Sequence, residues 1–224
     1  MMVPPELSHA VQIFSVWIIP LVLAITLHEA AHGLAAWRLG DDTAWRMGRV
    51  SANPLHHIDP FGTLILPGML LMMGGGMLFG WAKPVPVNFG RLRPPRAGMI
   101  LVALAGPATN LVLAVISMLA LHAAPYLPSM FLVWGEANLT NSVMINLVLA
   151  VFNMLPLPPL DGGRVLMGIL PRRMAIKLAG IERYSMILLL VCMFLLPMIG
   201  INVFFWLVEI PVDFLAQLLY VVAG

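Results

Sequence analysis

His28-Glu29-Ala30-Ala31-His32 sets two imidazoles four residues apart with a carboxylate beside them. On a helix, positions four apart share a face, so His28 and His32 can turn their ring nitrogens to one metal ion. Glu29 then sits where a carboxylate can take a proton from a metal-bound water. The pentad lies near the end of an apolar run that begins about Ala10. Ionisable groups in such a run are costly and usually functional, so the chemistry indicated is metal-assisted proteolysis inside a membrane. A polar helix end packed at the interface would not account for three ionisable residues in this order.

A catalytic zinc takes about three nitrogen or oxygen ligands and keeps a further position open for water. The pentad supplies two. The third must come from elsewhere, and Asp161 is the best candidate. It follows a helix break at Pro156-Leu157-Pro158-Pro159-Leu160, and a carboxylate held by a Gly162-Gly163 turn is well placed to reach a neighbouring helix. Cys192 is the one cysteine in the chain, which excludes an intramolecular disulfide and a thiolate zinc site.

Elements able to hold these groups at one depth must be membrane helices. Of the 224 residues, 61% are hydrophobic and only 10% charged, and the mean hydropathy is +0.96. No ordinary soluble domain has this composition. The expected fold is an all-α polytopic membrane protein, a bundle of about five to six transmembrane helices forming one domain over 1–224. Spans are expected near 10–37, 98–121, 139–160, 184–200 and 201–222. The last of these carries Glu209, Pro211 and Asp213, and an interfacial helix is the alternative reading of the same stretch. The N-terminus has no basic residue ahead of its apolar run and so lacks the n-region of a cleaved signal peptide. Nothing in the composition points to nucleic acid.

The charges orient these spans. Every Lys and Arg except Lys83 falls in 38–49, 91–96 or 164–183, while 1–20 and 122–138 have none. By the positive-inside rule the first three segments are cytosolic and the last two lie outside. The pentad and Asp161 then sit at the cytosolic ends of their spans, at similar depth. Region 61–90 starts and ends in the cytosol, so it cannot be a single span. It is expected to dip into the membrane as a re-entrant extended or hairpin element, since Gly80 to Asn88 alternates Val and Pro and reads as extended chain.

Both motifs together resemble the site-2 protease family of zinc intramembrane metalloproteases: the His28–His32 pentad, and Asn153-x-x-Pro156-x-x-x-x-Asp161-Gly162 far downstream. Asn53-Pro54-Leu55-His56-His57-Ile58-Asp59-Pro60, Gly80-Trp81-Ala82-Lys83-Pro84-Val85-Pro86-Val87 and Ala105-Gly106-Pro107-Ala108-Thr109-Asn110 are similar to its short branch, and no regulatory domain is evident. The resemblance covers roughly 20–185. It implies one Zn2+ held by His28, His32 and Asp161, Glu29 as general base and acid, and Asn153 contacting the substrate backbone or the tetrahedral oxyanion. It also implies an embedded strand near 81–90 that presents substrate as an extended chain, with Val85 and Val87 as the pairing positions. The partners implied are transmembrane protein substrates and the lipid bilayer. The location expected is the plasma membrane of a prokaryote, with the active site toward the cytosol.

Blander readings stand beside these. Asp161 also reads as a helix cap, and Asn153 as an amide bonding between helices. Asn110, mid-span after Gly106-Pro107, reads first as part of a kink and close-packing device. His56 and His57 read first as interfacial residues, with a lesser expectation that one lines the site. The alternative function is a non-proteolytic metal-binding membrane protein or a transporter. Transporters usually spread ionisable residues over several spans, whereas here they concentrate in two motifs. Substrate, regulator and oligomeric state are not legible.

Overall fold

The computed structural model describes residues 5–65, 69 and 82–223. Helix α1 (Pro5–Arg38, 34 residues) is long enough at 1.5 Å per residue to cross a bilayer and project beyond it. It stops at Gly40, whose φ of +102° is a left-handed conformation that costs glycine little. The Asp41 amide bonds to the Ala36 carbonyl at 2.9 Å, and the Gly40 amide bonds to that of Trp37 at 3.1 Å. This pairing satisfies carbonyls the helix would otherwise leave bare. A single turn, Thr43–Arg46, follows.

Next come α2 (Pro95–Leu121), α3 (Ser129–Asn153) and the short α4 (Asp161–Ile169). Two further helices, α5 (Arg172–Met198) and α6 (Phe205–Ala223), complete the order. α1, α2, α5 and α6 are each long and apolar enough to cross a membrane. Helices α1, α2 and α3 pack on one another, and α4 packs against the start of α2. No strand occurs among the described residues. The all-α polytopic architecture is therefore the one the composition dictates.

Packing here inverts that of a soluble protein. Large apolar side chains such as Leu101, Ile116, Ile187 and Trp206 face outward, as a lipid-facing surface requires. The buried face of α2 is a stripe of Gly98, Val102, Gly106, Asn110 and Ala114, each four residues from the last. Small residues at that spacing let helices approach closely, which is how helices associate where lipid is as apolar as the side chains.

The element boundaries differ from expectation in three places. The span placed at 139–160 is a helix that begins at Ser129 and ends at Asn153. Its polar residues bond to neighbours instead of ending it. Trp134 Nε1 donates to Ser15 Oγ at 2.8 Å, and Asn141 Nδ2 donates to the Val16 carbonyl at 2.9 Å. Second, Arg172, Arg173, Lys177 and Arg183 share one helix with the span expected at 184–200 and occupy its N-terminal half, while Arg164 lies in α4. Third, of the region 61–90, the described part includes a π-helical turn at Pro60–Ile65 and a segment over 82–88 that is neither helix nor strand. The remainder of the expected re-entrant element lies outside the described residues.

Candidate metal centre

α1 carries His28 and His32 one turn apart, and both are 6% exposed. Their Nε2 atoms lie 3.0 Å from each other. Each is 3.3 Å from Asp161 Oδ2. The far nitrogen of each ring is engaged by an oxygen. His32 Nδ1 lies 2.7 Å from the Val102 carbonyl, and His28 Nδ1 lies 2.5 Å from Asn110 Oδ1. A carbonyl only accepts, so each ring carries a proton on Nδ1, and in its neutral form turns a lone pair inward from Nε2.

With both imidazoles neutral, the form that binds a metal, three acceptor atoms face a common point with no hydrogen between them. Asp161 Oδ2 is buried and has no hydrogen-bond partner. Lone pairs so close repel, and burying an unpaired carboxylate oxygen is expensive; a cation among them removes both costs. Two imidazole nitrogens and one carboxylate oxygen are also the donor set of catalytic zinc. Among the described residues this is the group of His, Cys, Asp and Glu side chains that could hold a metal.

Two close approaches give His28, His32 and Asp161 room. A Cβ at Gly106 would lie 2.5 Å from His28 Cε1 and closer still to His32 Nε2. Position 106 must therefore lack a side chain for α2 to lie against the imidazoles. Asp161 stands in the first turn of α4, with Gly162 and Gly163 helical behind it. The expected Gly-Gly turn is thus a helix start. The glycines serve a different purpose, since a Cβ at 162 would overlap the Met154 carbonyl and one at 163 would lie 2.5 Å from Leu157 C. They allow the 154–160 loop to fold tightly over α4 and aim Asp161 at α1.

Glu29, next to the ligands and partly buried, accepts a hydrogen bond at Oε2 from the Val85 amide at 2.8 Å. Val85 is 7% exposed, and its side chain enters space left by Gly33, where a Cβ would lie 3.2 Å from Val85 Cγ1. The 82–88 segment is held on either side of this contact. The Lys83 amide donates to the His57 carbonyl at 2.9 Å, and the Asn88 amide donates to Asp41 Oδ2 at 2.6 Å. Burial works against the charge on Asp41. The Thr43 hydroxyl, the Asn88 and Thr43 amides and the Arg91 guanidinium outweigh it and hold the carboxyl below its ordinary range.

The other expected residues fall outside the cluster. Asn153 closes α3 and donates from Nδ2 to the Leu149 carbonyl of its own helix at 3.0 Å. His57 Nε2 pairs with the Ser51 carbonyl at 3.0 Å, and His56 Nδ1 with that of Gly48 at 2.9 Å. These histidines shape the loop that braces the 82–88 segment and do not join His28, His32 and Asp161. Asn110 is more than a packing device, because its side chain bonds directly to His28. The signal was available in the spacing: Val102, Gly106 and Asn110 repeat the four-residue interval of His28 and His32 on the facing helix.

A sequence profile of Peptidase family M50 matches residues 136–197, the part that holds Asn153 and Asp161. YwhC of Bacillus subtilis, described as a candidate zinc metalloprotease, is 38% identical over 193 residues, covering 81% of this chain and 80% of its own. Rip2 of Mycobacterium tuberculosis H37Rv, described likewise, is 31% identical over 192 residues, covering 84% of this chain and 71% of its own. MJ0611 of Methanocaldococcus jannaschii, also so described, is 32% identical over 159 residues, covering 71% and 73%. No solved structure matches the chain significantly. The chain belongs to Peptidase family M50, the site-2 protease family.

Proposed function

We propose that this member of the family is an intramembrane zinc endopeptidase that cleaves membrane proteins within or near their transmembrane segments. The observation that carries the reading is the convergence of His28 Nε2, His32 Nε2 and Asp161 Oδ2 beside the Glu29 carboxylate, inside a bundle whose outer surface is apolar. Bound zinc would polarise the scissile carbonyl and lower the pKa of its water to about 7.

The remaining work falls to the protein's own groups. Glu29 removes the proton from the attacking water and returns it to the leaving nitrogen. The Val85 amide, 2.8 Å from Oε2, holds the carboxylate in one orientation and leaves Oε1 for the proton. Val102 and Asn110 fix the imidazoles. Asn153 is assigned to the substrate backbone on the strength of the family motif.

The 82–88 segment is assigned to substrate presentation. Its Lys83 and Val85 amides are turned to the protein. Alternate residues of an extended chain turn their backbone groups to opposite edges, so the Pro84 and Pro86 carbonyls form an acceptor edge away from Lys83 and Val85, while Val87 keeps its amide and carbonyl on the Lys83 and Val85 side. A substrate helix that unwinds can pair its amides there, the strand-addition mode of peptide recognition. Charge placement puts this face toward the cytosol, and the plasma membrane of a prokaryote is the setting that fits.

The test is turnover of a single-span substrate by purified wild-type and Glu29→Gln protein, with zinc measured in both. Proteolysis predicts loss of cleavage at unchanged zinc content. Equal cleavage by both forms would remove Glu29 from the mechanism. Metal-dependent transport without cleavage in either form would favour the transporter reading.

A further inference from the structure

Asn110 is fully buried on α2 and lies between two helices. Toward α1, its Oδ1 accepts from His28 Nδ1 at 2.5 Å. Toward α3, its Nδ2 donates to Asn146 Oδ1 at 2.8 Å, with a longer bond to the Ala24 carbonyl at 3.4 Å. Asn146 is 1% exposed, and its own Nδ2 donates to the Ser142 carbonyl at 2.8 Å.

The direction of this chain is forced from its far end. The Ser142 backbone carbonyl cannot donate, so Asn146 must turn its amide nitrogen to it and its oxygen toward Asn110. Asn110 must then donate to Asn146 and present its oxygen to His28. Facing an oxygen, His28 must carry its proton on Nδ1, which leaves the Nε2 lone pair pointing at Asp161. Each amide has one orientation that satisfies both its neighbours, and reversing either would oppose two oxygens or two hydrogens in a buried place.

From this geometry we infer that Asn110, oriented by Asn146, is a positioning residue that fixes the tautomer and ring direction of His28 for metal binding. Partners of this kind on the far nitrogen of a ligating histidine raise metal affinity about 10–100-fold. The inference rests on His28 being a zinc ligand.

The test compares zinc affinity by chelator competition, and unfolding of the metal-free protein, in detergent-purified variants. Leu and Asp each match asparagine in the number and branching of side-chain heavy atoms, and Asn110→Leu and ionised Asn110→Asp both lose the donor to Asn146. Only Asp keeps an acceptor for His28, and its two equivalent oxygens need no partner to orient them. Asn110→Leu should lose zinc affinity about 10–100-fold and Asn110→Asp should stay near wild type. Asn146→Leu should weaken zinc in the wild-type background, because Asn110 can then reverse, and should have no effect on zinc in the Asn110→Asp background.

Equal zinc loss in Asn110→Leu and Asn110→Asp, tracking equal loss of metal-free stability, would show that Asn110 only joins helices and would overturn the inference. Unchanged affinity in Asn110→Leu would overturn it too. His28→Ala is the control for the underlying assignment: full zinc in that variant rejects the metal centre itself, whereas zinc loss there with normal affinity in Asn110→Leu rejects this inference alone.

Discussion

The Val85 amide lies 2.8 Å from Glu29 Oε2, so the carboxylate beside His28 and His32 is held by the backbone of the 82–88 segment. One residue thus links Glu29, the proposed general base, to the segment proposed to present substrate. Glu29 keeps a defined orientation only while that segment stays in place.

Replacing Val85 by Pro removes the donor and releases Glu29. Cleavage of a model transmembrane substrate should fall at least tenfold, about the worth of one charge-assisted hydrogen bond, with zinc content unchanged. Val87→Pro leaves the Glu29 contact intact and removes only the Val87 amide donor; a smaller loss, seen as a raised KM, is expected. Undiminished cleavage by both folded variants would falsify the role given to this segment.

Asp161→Ala should drop zinc from about one per chain to near none while the protein remains folded by circular dichroism. The reason is that Asp161 Oδ2 is the oxygen member of the converging trio and has no other partner. Metal analysis giving full occupancy in Asp161→Ala would send the search for the third ligand elsewhere in the chain.

The pentad and its downstream partner were legible because their chemistry is local. His28 and His32 share a face by helix geometry alone, and Asp161 stands out as a carboxylate after a proline-rich break. What lay hidden depends on which helices touch. Nothing in a linear reading says that α2 crosses α1 at His28, so Asn110 read as packing and Gly106 as a kink, whereas the crossing makes one a hydrogen-bond partner and the other a clearance. The start of α3 was misplaced for a related reason. Asn138 and Asn141 lower its apolar character, but each donates from Nδ2 to a backbone carbonyl, of Trp134 and Val16 respectively, and a hydropathy reading cannot see those bonds.

Asp41 gives a pH dependence with a definite sign. Its folded carboxyl is held below the ordinary range, so its stabilising contribution is complete above the unfolded value of about 3.9. It fades as pH falls through the lower folded value. Asp41→Asn should therefore be less stable than wild type near pH 7, and the gap should close on acidification below about pH 4. Thermal unfolding across that range measures it, and a gap that widens toward acid would contradict the assigned cause.

Charge placement predicts which ends of the helices face the cytosol. In a Cys192→Ser background, single cysteines at Trp45, Pro94, Met130 and Leu170 can be labelled with an impermeant thiol reagent in intact cells. Met130 opens α3 on the side without Lys or Arg and is 78% exposed, so it should react from outside while the other three should not. Labelling at 94 from outside would reverse the orientation of α2 and with it the cytosolic placement of the site.

Gly106→Ala is the most economical test of the helix crossing. A methyl group there would meet both imidazoles, with His28 Nε2 at 2.6 Å and His28 Cε1 at 2.5 Å, below any distance a carbon tolerates. The imidazoles can yield only by breaking the Nδ1 contacts to Asn110 and Val102, or α2 must shift from α1. Either response misdirects Nε2 away from Asp161. The added methyl otherwise favours the helix by about 1 kcal/mol relative to glycine, so the helix itself should persist. Zinc affinity should fall at least tenfold, on the scale of disturbing a ligand's supporting shell, with helicity unchanged. Gly180→Ala is the control, because a Cβ there meets nothing within 4 Å, and it should leave zinc untouched. Wild-type zinc affinity in Gly106→Ala would mean that α2 does not lie against the ligands as described, and the support given to His28 and His32 by that helix would have to be abandoned.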